Sequence, residues 1–81
     1  MDVLYFAWLR ERIGVSRETV TSDARTVAEL VAELAAREDR YALAFSDLGA
    51  IRVAVDQELT DFDASLQDAR EVAFFPPMTG G

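Results

Sequence analysis

Apolar positions along the chain change period several times, and each change marks an element. Val3-Leu4-Tyr5-Phe6-Ala7-Trp8 is a run of aromatic and branched residues that predicts a first strand. Leu9 and Ile13 stand one turn apart ahead of Gly14, which predicts a short helical turn closed by glycine. Glu18-Thr19-Val20-Thr21 predicts a second short strand, completing an opening hairpin with a longer connection. The helical period then takes over. Thr26 and Glu29 have the spacing of a capping box, and Val27, Leu30, Val31 and Leu34 form one apolar stripe. Tyr41, Ala44, Phe45 and Leu48 repeat that spacing, with Asp39 as a break between two helical pieces and Gly49 as a stop. Ile51, Val53 and Val55 alternate with Arg52, Ala54 and Asp56, the period of a half-buried strand. Asp56-Gln57-Glu58 supplies a turn, Leu59-Thr60 a brief return strand, and Ser65 to Ala69 a turn or one helical turn. Glu71-Val72-Ala73-Phe74-Phe75 makes the final strand. Pro76-Pro77 ends it, because proline donates nothing to a ladder.

The order strand, strand, helix, strand, short strand, strand predicts an α+β domain. One main helix packs on one face of a mixed sheet of four to five strands, with the last strand beside the first near the centre. Residues 1–75 form this domain and residues 76–81 an extended tail.

A single helix layer covers one face of a sheet, so the other face should be polar in a solitary domain. Alternation predicts otherwise. Glu71 shares a face with Ala73 and Phe75, and Asp2 shares one with Leu4, Phe6 and Trp8. If the charged residues mark the solvent side, that side carries Phe6, Trp8 and Phe75 around small Ala54 and Ala73, with Leu59 at the rim. So many large apolar groups on one surface mark an association site.

Composition narrows the chemistry. The chain has 81 residues, room for one small core, and is 51% hydrophobic with 28% charged, a globular balance. No apolar run is long enough to span a membrane, and no basic segment precedes an apolar stretch near Asp2, so a cytosolic chain is expected. Cys and His are absent and all eight basic residues are Arg. Thiolate, imidazole and lysine chemistry are therefore excluded, and no metal site is expected. The missing lysines fit a general preference for Arg over Lys, or else a need to keep an activated terminus from acylating its own side chains, and their absence forbids polymers linked through lysine. A net charge of −7 argues against nucleic acid and favours a partner with a basic docking surface.

The tail is where chemistry remains. Pro76-Pro77 stiffens its base, and Gly80-Gly81 forms a tip without Cβ atoms that fits a narrow channel. Its carboxylate becomes an electrophile only after activation, for instance as an acyl adenylate. That activation needs another protein, since no phosphate-cradling Gly-rich loop with its lysine exists here. Asp61 and Asp63, neighbours in a loop, read as solvated rather than as a catalytic pair.

The run from Glu71 to Gly81, Val3-Leu4-Tyr5-Phe6-Ala7 with Leu9-Arg10-Glu11, and Val53-Ala54-Val55-Asp56-Gln57 together resemble the small-subunit family of molybdopterin synthase, ubiquitin-like sulfur carriers. The resemblance implies a β-grasp fold. It implies that Gly81 is adenylated by a ubiquitin-activating-enzyme-like adenylyltransferase using ATP, receives sulfur from a donor protein as a thiocarboxylate, and delivers it to cyclic pyranopterin monophosphate. Pro76, Pro77, Met78, Thr79 and Gly80 would insert into the large synthase subunit, Phe6, Leu59 and Phe75 would contact it, and the assembly would be a heterotetramer. Catalytic side chains would then lie on the large subunit, and this chain would bind no cofactor of its own. Met78-Thr79 replaces a commoner Val with a small residue after it, Asp68-Ala69-Arg70 a commoner Asp-Gly-Asp turn, and Asp56 a frequent Asn. A thiamine-pathway sulfur carrier, a ubiquitin-like protein modifier and a non-catalytic binding module are the alternatives.

Overall fold

The computed structural model describes residues 1–77; Met78, Thr79, Gly80 and Gly81 lie outside the described residues. Five strands, β1 (Asp2–Tyr5), β2 (Arg17–Thr19), β3 (Arg52–Val55), β4 (Glu58–Thr60) and β5 (Glu71–Phe75), form one sheet in the order β2-β1-β5-β3-β4. β5 occupies the centre, parallel to β1 and antiparallel to β3, as expected for the last strand. Three helices, α1 (Trp8–Ile13), α2 (Val27–Arg37) and α3 (Asp39–Ala44), complete the α+β fold. None is long and apolar enough to cross a membrane.

α2 forms where the sequence places it. The Thr26 hydroxyl accepts from the Glu29 amide at 3.2 Å, while Glu29 reaches back to the Arg25 amide at 3.5 Å rather than to Thr26 itself. Val27, Leu30, Val31 and Leu34 are buried in one cluster with Val3, Tyr5, Val53, Val72 and Phe74 from the inner face of the sheet. Full burial of each aliphatic side chain contributes about 2 kcal/mol. Phe74 sits at the hub, 5.0 Å from Phe45 edge to face and 6.3 Å from Tyr5.

Several boundaries differ from expectation. The first strand stops at Tyr5, and Trp8 opens α1 instead of extending β1. The cause is a tight turn in which the Leu9 amide bonds to the Phe6 carbonyl at 3.2 Å, with Ala7 at φ 54°, ψ −131°. A conformation that normally selects glycine turns the chain off the sheet here. β2 is shifted to Arg17–Thr19, leaving Val20 buried beyond its end. The helix break falls on Glu38, extended at φ −153°, so Asp39 begins the second piece. Gly49 is not a helix stop. α3 ends at Ala44, and Gly49 lies within a separate 3₁₀ turn, Leu48–Ala50, its amide bound to the Asp47 carboxylate at 3.1 Å. Gly14, by contrast, closes α1 as expected at φ 96°.

Candidate functional site

Strand register sorts the outer face of the sheet into three rows. Leu4 pairs with Ala73, Ala73 with Ala54, and Ala54 with Leu59, so one row crosses four strands with large residues at its ends and alanines between. The end residues stand roughly 14 Å apart, three interstrand steps of about 4.8 Å. On one side, Phe75 pairs with Arg52, and Phe6 lies alongside because its amide continues the ladder to the Phe74 carbonyl at 3.1 Å. On the other side, Asp2 pairs with Glu71 and with Thr19. The face therefore runs from aromatic, through small and aliphatic, to acidic.

The aromatic side is also where β5 ends. Leu4, Phe6, Gln57, Glu71, Ala73, Phe75 and Pro76 line an open concavity of about 620 Å³. Phe6 is 45% exposed and Leu59 71%, values that a core residue of this size never shows, whereas Phe75, Pro76 and Pro77 are half-buried. Of the expected contact residues, Phe6 and Phe75 thus share one concavity, and Leu59 stands apart on the edge strand. Trp8 does not belong to this surface. From α1 it packs against the core cluster, with the Arg12 guanidinium 5.3 Å from its ring centre. The tail residues Met78, Thr79, Gly80 and Gly81 fall outside the described residues.

Two turns hold this face in shape. Asp56 and Gln57 take φ 49° and 71° between the paired residues Val55 and Glu58, a two-residue hairpin of the type that favours Asn-Gly. Asp tolerates that region, and here its carboxylate has a second task. It accepts from the amides of Arg70 at 2.9 Å and Glu71 at 3.0 Å, tying the hairpin to the start of β5. The turn before β5 bends at Asp68, φ 61°, one residue ahead of Ala69, so Ala69 needs no left-handed backbone and the missing glycine costs nothing there. Opposite, Arg17 bonds to Asp2 at 2.6 Å and Thr19 adds a 3.1 Å bond, which together hold the Asp2 carboxyl below the usual aspartate range.

Sequence alternation placed Glu71 on this face with Ala73 and Phe75, as the marker of its solvent side, and left out Gln57, because a turn residue has no strand phase.

Residues 3–81 match the family model described as the ThiS family. The chain is 49% identical over 81 residues to the molybdopterin synthase sulfur carrier subunit of Escherichia coli (strain K12), and 38% identical to that of Haemophilus influenzae (strain ATCC 51907 / DSM 11121 / KW20 / Rd), covering all of this chain and 99% of each relative. Its fold superposes with a TM-score of 0.74 on SAMP1 from Haloferax volcanii, at 24% identity, covering 100% of this chain and 98% of that one. A putative molybdopterin converting factor, subunit 1, from Pyrococcus furiosus gives 0.72 at 26% identity, covering 95% of both chains.

Proposed function

The chain belongs to the ThiS family, and from that premise we propose that it is the sulfur-carrier subunit of a molybdopterin synthase, with the Gly81 carboxylate as its reacting group. The observation that carries this reading is the unpartnered apolar face, whose aromatic end coincides with the end of β5 and with Pro76. A carrier needs a surface that seats it on a larger protein and a terminus that reaches onward from that seat. Phe6, Phe75 and Leu59 supply the seat. Pro76 and Pro77 set the tail's departure, and Met78, Thr79 and Gly80 carry Gly81 into the partner.

The chemistry proceeds on the terminus and is supplied by other proteins. An adenylyltransferase joins the carboxylate to the α-phosphate of ATP with release of pyrophosphate; the outer sulfur of a donor protein's persulfide then displaces AMP, and a thiol cleaves the resulting acyl disulfide to leave a thiocarboxylate. With the carrier docked on the large synthase subunit in a heterotetramer, the thiocarboxylate sulfur bonds to cyclic pyranopterin monophosphate, and water then cleaves the acyl–sulfur bond, leaving sulfur on the pterin and restoring the Gly81 carboxylate. The folded domain contributes no acid or base to these steps, which accords with a chain that has neither His, Cys nor Lys. The proposed site of action is the cytoplasm, where ATP for that activation is at hand.

Intact mass after incubation with the activating enzyme, ATP and a sulfur donor tests the proposal. Exchange of one oxygen for sulfur at Gly81 is expected, followed by loss of that sulfur when the large subunit and the pterin precursor are added. A thiocarboxylate that forms but is not consumed by the pterin would indicate the thiamine-pathway alternative, and an unchanged mass would defeat both.

A further inference from the structure

Among the described residues, Glu71 is the one carboxylate that lines the concavity, where it shares the surface with Leu4, Phe6, Gln57, Ala73, Phe75 and Pro76. Its side chain is half-buried and makes no ion pair or hydrogen bond among the described residues. The nearby Arg17 guanidinium is committed to Asp2 at 2.6 Å on the adjoining strand. Asp56 holds the Glu71 amide, not its carboxylate, so apart from the through-space attraction of Arg17 the charge lines the concavity with no ion pair among the described residues.

Such a charge is tolerable while water reaches it. A protein seated on Phe6 and Phe75 would strip that water, and a covered carboxylate without a partner opposes binding. An apolar surface alone would therefore bind here poorly. Resting on the docking reading above, we infer that Glu71 is a specificity-determining residue. The other synthase subunit places an arginine or lysine against it, and that ion pair separates the true partner from other apolar surfaces and fixes the rotation of the carrier on its seat.

The test is a titration of the full-length carrier with the purified large subunit at several salt concentrations, using the unaltered chain, Glu71→Gln and Phe75→Ala. Because the Glu71 side chain holds nothing within the fold, Glu71→Gln should melt at the parent temperature. It should bind about tenfold more weakly or worse, with a flatter dependence of Kd on salt. Equal or tighter binding of Glu71→Gln with an unchanged salt slope, while Phe75→Ala binds weakly, would overturn the role of Glu71 and leave the docking face intact. Equal binding by all three chains would overturn the docking face itself.

Discussion

Tyr5, Tyr41 and Glu18 show how one residue can link layers. Both phenols donate to the same Glu18 oxygen, at 2.8 and 2.7 Å, joining β1, α3 and β2 through a single carboxylate. Arg40 lies 4.9 Å from the centre of the Tyr41 ring and bonds to the Ile13 carbonyl at 2.6 Å, closing the end of α1. Burial, and then the hydrogen bond to Glu18, push both phenols above the ordinary tyrosine range, Tyr5 far above it. A phenol whose folded pKa is raised keeps its stabilising effect below the unfolded value near 10, and loses it as pH climbs toward the folded value. Denaturant titrations should therefore show stability flat through neutral pH and falling above pH of about 10. Tyr5→Phe should cost about 2 kcal/mol at pH 7 and make that alkaline decline shallower. An equally steep decline in the variant would remove Tyr5 as its cause.

Among the elements, the link from β1 to α1 decides which residues reach the outer face. Ala7 holds a conformation that places its Cβ in a region reserved in practice for glycine, and such backbone costs about 1–3 kcal/mol. The strain is sustained because Leu9 and Ile13 of α1 are fully buried and Phe6 continues the ladder onto Phe74. Ala7→Gly should relieve it and raise the melting temperature, with a net gain of about 1 kcal/mol in denaturant unfolding once the added freedom of glycine in the unfolded chain is discounted. A destabilised variant would mean that the turn carries no strain. Trp8 was legible only as a strand residue for the same reason. The usual signal for leaving a strand by this turn is glycine, and alanine stands there instead. α2, with its cap and stripe both written in local spacing, was legible to the residue at its start. The register of β3 against β5 was not, because pairing depends on residues far apart in the chain.

At the scale of the whole molecule, the sheet has one face under helices and one face open, in a chain of net charge −7. On the proposed docking reading, stability and association rest on different side chains. Phe74 and Phe75 are neighbours in sequence, yet Phe74 is completely buried among Tyr5 and Phe45 while Phe75 lines the outer concavity. Phe6→Ala, on the open face, should leave the melting temperature within a few degrees of the parent and weaken binding to the large subunit about tenfold. Calorimetric melting and titration on the same preparation check both halves. A large fall in melting temperature would show that Phe6 belongs to the core instead. Phe6 and Phe75 were legible as outward-facing from strand phase, each an even step from Asp2 or Glu71 on its own strand, whereas Leu59 was placed at the rim only by its position on the return strand.

Local spacing by itself determined α2 with its cap and stripe and the phases of β1 and β5, because each depends on neighbours within a few residues, and composition alone showed that His, Cys and Lys are missing. Only the folded chain decided that Leu4, Ala73, Ala54 and Leu59 form one row, that Trp8 leaves the sheet, and that Glu71 lines an apolar concavity with no ion pair among the described residues. Those outcomes depend on which strands pair and in which register. Pairing is set by the burial of the entire inner face at once rather than by any one segment.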